Sequence, residues 1–160
     1  MALKVLRFAS LFPVTLIFGL AFCHVMEVPG KLRLNGTDWL AVRRHFYVAL
    51  GAPIGASIEV LSILSAWALA LAVRRRRPTF FYWTIIGAPC VTGGLAAWFA
   101  LVAPMYAVLG ARIPEALPAG WAAVRDHWER GHAVYAALLG LGFGTLVIAS
   151  LFETPNEPRW

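Results

Sequence analysis

Four long apolar stretches alternate with short polar segments along the chain. A helix that crosses a lipid bilayer needs about 20 mainly apolar residues, because the hydrocarbon core is about 30 Å thick and a helix rises about 1.5 Å per residue. Each stretch is about that long, so the pattern predicts four membrane-spanning helices within one transmembrane domain, residues 1–160. The predicted spans are residues 8–26, 46–73, 80–109 and 132–152.

The polar segments predict a short helix and a longer loop. Asn35-Gly36 is typical of a turn. Thr37 or Asp38 after it is a candidate cap for a helix that ends near Arg44. Residues 110–131 mix prolines with polar residues and predict the second loop. The predicted fold is therefore all-α: an integral membrane four-helix bundle with a short interfacial helix in the first outer loop.

Composition agrees with a membrane protein and argues against soluble classes. The chain is 60% hydrophobic and only 14% charged, whereas soluble domains are nearer half apolar and a quarter charged. The net charge of +6 would suggest nucleic-acid binding in a soluble protein, but Lys and Arg cluster here at the ends of apolar stretches. Their predicted partner is the lipid bilayer, and no nucleic acid is expected.

The basic residues also predict the orientation. An even number of spans places both termini on the same side of the membrane. The two sides carry similar numbers of basic residues, but Arg74 to Arg77 are concentrated in one very short hairpin. Positive charge in short loops favours the cytoplasmic side most strongly. The prediction is an integral protein of the bacterial inner membrane with both termini in the cytoplasm.

Glu59 is the most informative single residue, because it lies in the middle of an apolar span with no basic residue nearby in sequence. A carboxylate at that depth costs several kcal/mol unless it is neutralised, paired or hydrated, and such residues usually face the bundle interior. The prediction is a functional or cofactor-linked role. The alternative is a protonated Glu bonded to a neighbouring helix.

Histidines and carboxylates gather at the outer ends of the spans. His24 and Glu27 are three residues apart at the end of the first span, and Glu129 and His132 form a Glu-x-x-His pair before the fourth. Residues at this spacing share a helix face. We therefore predict an outer-facing His/Glu site. The candidate metal ligands are His24, Glu27, Glu59, Glu129 and His132, and the candidate catalytic residues are Glu59, His132 and Arg130.

Several chemistries fit this set. Two histidines and a carboxylate suit a non-haem iron or copper ion, and a di-iron site would need a further Glu that the third span lacks. A haem with His24 and His132 as axial ligands is a less favoured option. Without any cofactor, a buried His beside a Glu is a general base for an acidic lipophilic substrate, and Arg125, Arg130 or Arg44 would hold the anion. The plainest alternative is a set of interfacial polar residues that satisfy one another.

Three segments resemble a subgroup of the anthrone-oxygenase-like family of small four-span membrane proteins. They are His24-Val25-Met26-Glu27-Val28-Pro29-Gly30-Lys31, Leu101-Val102-Ala103-Pro104, and Trp121 followed by Arg125-Asp126-His127-Trp128-Glu129-Arg130-Gly131-His132. The resemblance implies a four-span fold and, as in some family members, oxidation of anthrones to anthraquinones without a recognisable cofactor motif. Trp128 and Arg130 match the family broadly, and the two His/Glu pairs match the subgroup.

The leading functional hypothesis is a membrane-embedded oxygenase or oxidoreductase acting on a small lipophilic, aromatic or quinone-like substrate. The second is a non-catalytic subunit or scaffold that packs on a membrane partner, or on its own copy, through the pairs Gly51/Gly55 and Gly140/Gly144, since small residues let helices approach closely in lipid. The third is a small transporter or binding protein in which Glu59 titrates.

Overall fold

In a computed structural model of the chain, almost every described residue is helical. The structure describes residues 2–75, 78–109, 117 and 119–153, without the side chains of residues 48–52, 78 and 153. No strand occurs among the residues described. Parts of two predicted features lie outside the described residues: Arg76 and Arg77 of the arginine hairpin, and most of residues 110–118 of the second loop.

The helices follow one another with few breaks. They are α1 (Ala2–Met26), α2 (Val28–Lys31), α3 (Gly36–Val42), a π-helical segment (Arg43–Gly55), α4 (Ala56–Val73), α5 (Pro78–Ala97), a second π-helical segment (Trp98–Val102), α6 (Ala103–Leu109) and α7 (Trp121–Glu153). Proline at positions 13, 53 and 89 lies inside helices. Transmembrane helices tolerate such prolines, because neighbouring helices and local π turns accommodate the freed backbone groups.

Within the part of the chain that the structure describes, four helical stretches are long and apolar enough to cross a membrane. Their bounds are Ala2–Lys31, Pro53–Val73, Thr79–Leu109 and Trp121–Phe152. The protein is thus an integral membrane protein with an all-α four-helix bundle, and the predicted fold class is confirmed.

The fourth long helix begins earlier than predicted. Residues 121–131 were expected to belong to a loop, but α7 runs without interruption from Trp121. These residues are mostly polar, but one side of the helix that they form is buried. Trp128 is fully buried, and a Cβ at Gly131 would lie 2.9 Å from Val102. Packing against the third span therefore overrides the polar composition. As a result Glu129 and His132 both lie inside one continuous helix.

The predicted interfacial helix is present as α3, with a different cap. The Asn35 side chain accepts a hydrogen bond from the backbone N–H of Asp38 at 2.9 Å, so Asn35 is the N-cap rather than Thr37 or Asp38. An N-cap residue comes just before its helix, and its side chain accepts a hydrogen bond from a backbone N–H two or three residues further on. Asn35 stands in that relation to Asp38. Trp39 and Leu40 of α3 are fully buried and anchor α3 on the bundle.

The described residues form two apolar clusters that hold the helices together. One fills the bundle between the long helices and includes Val14, Leu69, Val91, Leu139 and Leu146. The other lies at the end of the bundle that carries α3, which we call the α3 end. It consists of Trp39, Leu40, Val102, Leu109 and Trp128 with surrounding aromatic residues. Large apolar side chains also cover the outside of the helices, among them Phe8, Leu64, Leu141 and Leu151, as expected for surfaces in contact with lipid.

Close approach of α5 and α7 depends on glycines other than the predicted pairs. A Cβ at Gly142 would lie 2.7 Å from Val91 Cγ2 and 3.2 Å from the carbonyl oxygen of Gly87. Of the predicted pairs, Gly140 faces the Phe18 ring at 3.0 Å, whereas Gly55 and Gly144 face open space. Gly51 lies outside the residues whose side-chain surroundings are described. In each predicted pair at least one glycine faces open space, so neither pair acts as a unit in the helix contacts within this chain.

Candidate functional site

A buried lysine lies at the centre of the polar residues at the α3 end. Lys31 ends the short helix α2, which has Pro29 in its first turn and folds the chain back over the end of α1. The Lys31 ammonium is 3.1 Å from His24 Nε2 and 3.1 Å from Glu129 Oε2, and it donates to the backbone carbonyl of His24 at 3.0 Å. The side chain is only 5% exposed, so Lys31 is an interior charge.

Glu129 is paired on both of its carboxylate oxygens. Oε2 lies 3.1 Å from His24 Nε2 as well as 3.1 Å from Lys31 Nζ. Oε1 accepts a hydrogen bond from Trp39 Nε1 at 3.2 Å. Glu129 is itself 4% exposed. A buried carboxylate is tolerated when it is ion-paired and its oxygens are hydrogen-bonded, and both conditions hold here.

The three charged or titratable atoms of this cluster form a triangle with sides of 3.1 Å: Lys31 Nζ, His24 Nε2 and Glu129 Oε2. A single ring nitrogen cannot donate to the carboxylate and accept from the ammonium at the same time. The cluster, which we call the Lys–His–Glu triangle, therefore has alternative proton arrangements at almost fixed atomic positions. That property suits a site that takes up or releases a proton.

Aromatic rings enclose His24 on several sides. The ring centroids of Tyr47, Trp128 and His132 lie 4.6, 4.7 and 4.1 Å from that of His24. Lys31 Nζ is 4.9 Å from the centroid of the Tyr47 ring, within the range of a cation–π interaction. The rings exclude water from the Lys–His–Glu triangle, and in such surroundings charge interactions are stronger than in water.

Glu27 lies at the rim of the site instead of inside it. Its side chain is 53% exposed and 3.8 Å from Lys31 Nζ. Tyr47 donates a hydrogen bond from its hydroxyl to Glu27 Oε2. Burial, together with this hydrogen bond, raises the pKa of Tyr47 above its ordinary value. Tyr47 is therefore a neutral donor that fixes the edge of the aromatic enclosure.

His132 stacks on His24 and is held by its own helix. Its Nδ1–H donates to the carbonyl of Trp128 at 2.9 Å, since a carbonyl can only accept. In the neutral ring Nε2 then carries the lone pair. The rings of His132 and His24 are 27° from parallel. By stacking on His24, His132 thus helps to hold the His24 ring in place.

Glu59 lies deeper, apart from the Lys–His–Glu triangle. It is 2% exposed and accepts a hydrogen bond from Tyr135 at 2.5 Å through Oε2. Oε1 has no partner among the described residues. Tyr135 is three residues after His132 on α7, and the two rings are 6.4 Å apart. Glu59 is therefore connected to His132 through Tyr135, which bonds to Glu59 and lies against the His132 ring.

The structure brings together three of the five predicted metal ligands: His24, Glu129 and His132. Among the described residues, no group of three or more His, Cys, Asp or Glu side chains is arranged to hold a metal ion. The Lys31 ammonium lies within 3.1 Å of both His24 Nε2 and Glu129 Oε2. A lysine cation thus takes the place where these two side chains would meet a metal.

A groove between α1 and α7 opens beside the Lys–His–Glu triangle. Its upper part is a pocket of about 570 Å³ whose wall includes Glu129, Arg125 and Arg130. A second pocket of about 310 Å³ continues it toward the middle of the bundle, since Val25 and Ala133 line both. The upper pocket has a charged end, and the lower pocket is lined by apolar residues and glycine. This shape fits a small amphiphilic molecule.

The predicted arginines differ in their surroundings. Arg125 is paired with Asp126 at 2.8 Å and rests on the Trp121 ring. Arg130 is exposed and donates to the backbone carbonyl of Asp126 at 3.1 Å. Arg44 is exposed. Only Arg125 and Arg130 line the pocket.

Sequence reasoning missed Lys31, Tyr47 and Trp39 as members of the site. A weak signal for Lys31 was present, because Glu27 and Lys31 have the spacing of a helical ion pair. Tyr47 and Trp39 had none, since their roles depend on contacts across 20 and 90 residues of sequence.

Comparison of the chain with protein-family models, with curated proteins and with solved structures finds no match. The resemblance to the anthrone-oxygenase-like family therefore stays a prediction.

Proposed function

We propose that the protein is a membrane-embedded oxygenase that acts on a small, lipophilic, weakly acidic aromatic molecule. One observation carries the proposal: Glu129 belongs to the Lys–His–Glu triangle and also to the wall of the pocket between α1 and α7. A proton acceptor thus borders a space of about 570 Å³. Ligand sites of this size are usually apolar with a few polar groups, as this one is.

The chemistry would begin with proton removal. A CH₂ group activated by neighbouring rings and a carbonyl gives its proton to Glu129, with His24 and Lys31 adjusting the proton arrangement of the triangle. The carbanion adds dioxygen, and the resulting hydroperoxide loses water. The overall change is R₂CH₂ + O₂ → R₂C=O + H₂O, in which carbon loses four electrons and dioxygen gains four. The family resemblance supports this reaction, since anthrone becomes anthraquinone in the same way.

The previously predicted catalytic residues take different places in this proposal. Arg130 lines the pocket and is suited to orient an oxygen of the substrate. His132 acts through His24, on which it stacks. Glu59 does not line either pocket of the groove, so no reaction step is assigned to it.

Filling the pocket is expected to lower turnover strongly without harming the fold. Ala133 is exposed and lines both pockets, so Ala133→Trp should reduce anthrone-dependent oxygen uptake about tenfold or more, because small displacements of a bound substrate have large effects on rate. Val134→Trp is the control, since Val134 is 44% exposed and lines neither pocket. Equal oxygen uptake by the two variants, or none by the wild type, would exclude the proposed reaction at this groove.

We further propose that the α3 end faces away from the cytoplasm of a bacterial cell, as the arginine hairpin predicts. In a cysteine-free background, Thr37→Cys in α3 and Arg75→Cys after α4 provide exposed positions at opposite ends. A membrane-impermeant maleimide should label Thr37→Cys on intact cells and Arg75→Cys only after lysis. The reverse pattern would place the site on the cytoplasmic side.

A further inference from the structure

The groove between α1 and α7 continues below the pocket whose wall includes Glu129. Val25 and Ala133 line both the upper and the lower pocket, so the two spaces join. The lower pocket ends at Phe18 on α1 and at Gly140 on α7. At the rise of an α-helix, the distance from Val25 to Phe18 and that from Ala133 to Gly140 are each about 10 Å. The groove therefore has the same depth along both helices.

The lower pocket is apolar and lies at the depth of the lipid chains. Only apolar side chains and glycine line it, and its residues belong to the spans Ala2–Lys31 and Trp121–Phe152. Phe22 is 50% exposed and Ala137 is exposed, so this part of the groove opens toward the bilayer. An apolar space of this kind does not hold ordered water. Its fitting occupant is an apolar chain that lies along the two helices.

Gly140 keeps the lower end of the groove open. A Cβ at this position would lie 3.0 Å from Cε2 of the Phe18 ring. The Phe18 ring is itself held by stacking on Phe143, with the ring centroids 5.6 Å apart. A larger side chain at position 140 would therefore occupy the space between α7 and Phe18, where the lower pocket ends.

The upper pocket suits an acidic group. Two carboxylates line its wall, and each is engaged by a cation: Asp126 by Arg125 at 2.8 Å and Glu129 by Lys31 at 3.1 Å. Arg130 lines the same wall, is exposed, and is held there by a hydrogen bond from its Nε to the carbonyl of Asp126. A guanidinium group binds oxygen anions through strong, charge-assisted hydrogen bonds. One end of the groove thus attracts an acidic oxygen, and the other accepts an apolar chain.

We propose that the substrate is an acidic aromatic ring that carries a long apolar chain, with the ring beside Glu129 and Arg130 and the chain in the lower pocket. The ring rests on the proposed function, whereas the chain rests on the groove alone. Lipid chains are as apolar as the groove, so the lower pocket contributes orientation more than affinity. It fixes the depth of the ring and admits the substrate sideways from the bilayer. Gly140 is then a specificity-determining residue.

The test uses a photoreactive probe, a phenol whose para-alkyl chain ends in a diazirine. After irradiation of the detergent-solubilised protein, mass spectrometry of its peptides locates the label. In the wild type the label should lie on the segments that contain Phe18 and Phe22 on α1, and Ala137 and Gly140 on α7. The methyl ether of the probe has the same chain without the acidic hydroxyl. It should label these segments about tenfold less, the effect of one lost hydrogen bond to a charged group.

Variants of α7 test the chain. Gly140→Leu fills the lower end of the groove and should reduce labelling by the phenol probe about tenfold or more, because an apolar pocket excludes a group for which it has no room. Ala137→Leu fills the same pocket from an exposed position and should act in the same direction. Gly144→Leu is the matched control, since a Cβ there meets nothing within 4 Å and Gly144 lines neither pocket.

Each outcome decides the proposal. Labelling that prefers the phenol to its ether, and that falls in Gly140→Leu and Ala137→Leu but not in Gly144→Leu, supports it. Equal labelling by phenol and ether, as at a general site for bilayer lipid, overturns it. Equal labelling of Ala137→Leu and Gly144→Leu overturns it even if Gly140→Leu does not fold.

Photolabelling needs no oxygen, so the two proposals fail separately. A protein that is labelled as expected but takes up no oxygen with anthrone keeps the binding groove and loses the proposed reaction. A protein that oxidises anthrone but carries no label on the lower pocket keeps the reaction and loses the chain.

Discussion

Replacing Glu129 by Gln is expected to lower the free energy of unfolding by about 3 kcal/mol, the effect of leaving one partner of a buried ion pair alone. The Lys31 ammonium would lose its buried partner in a site where it is 5% exposed, and Glu27 at 3.8 Å is the carboxylate that remains near it among the described residues. Gln retains an oxygen that accepts the hydrogen bond from Trp39. The loss of stability therefore reflects the missing charge more than a change in the shape of the side chain. Reversible unfolding in mixed detergent micelles measures it.

The control lies on the same helix. Asp126→Asn removes a carboxylate three residues earlier, but its ion pair with Arg125 is partly exposed, and such pairs contribute about 0–1 kcal/mol. The double variant Lys31→Met/Glu129→Gln removes both charges and should be more stable than the sum of the two single changes predicts, by about 2 kcal/mol. An additive pair, or an effect of Glu129→Gln no larger than that of Asp126→Asn, would mean that the Lys–His–Glu triangle is not a buried ion pair.

The second large effect is expected at the contact between α5 and α7. Gly142→Leu places a Cβ 2.7 Å from Val91 Cγ2 and 3.2 Å from both the carbonyl oxygen of Gly87 and the backbone nitrogen of Val91. Backbone atoms cannot move aside as a flexible side chain can. Overpacking of this kind costs about 3 kcal/mol, and the two helices should separate.

Gly144→Leu is the matched control, because a Cβ there meets nothing within 4 Å. Leu has a better helix propensity than Gly by up to about 1 kcal/mol, so this variant should be as stable as wild type or slightly more so. Unfolding in detergent compares the two. Equal stability of Gly142→Leu and Gly144→Leu would show that α5 and α7 do not approach as closely as described.

The two predictions are linked, because Glu129 and Gly142 both lie on α7. Close packing of α5 on α7 fixes the axis of α7, and α7 carries Trp128, Glu129, His132 and Tyr135 on its buried side. A shift of that axis would move Glu129 relative to His24 and Lys31, which belong to the first span and its continuation. We therefore expect Gly142→Leu to reduce oxygen uptake as well as stability.

The site could be predicted only in part, and its residues show why. The His24/Glu27 and Glu129/His132 pairs were visible because helical spacing places such residues on one face. Their separation into an interior Glu129 and a rim Glu27 was not visible, since it depends on how α2 turns over the end of α1. Lys31 lies in a polar stretch of the sequence, yet Pro29 and the short helix bring it inside. The partner of Glu59 is Tyr135, 76 residues away.

The sequence alone determined that this chain spans a membrane four times as helices, because span length and apolarity are properties of each local stretch. It also determined that α3 would form, since a turn followed by polar N-cap candidates is a local signal, although the capping residue proved to be Asn35. The tertiary structure alone decided where α7 begins, which glycines face neighbouring helices, and which charges meet. Those features depend on packing between residues far apart in sequence. The free-energy cost of burying a charge or a backbone atom is determined by the residue that packs against it.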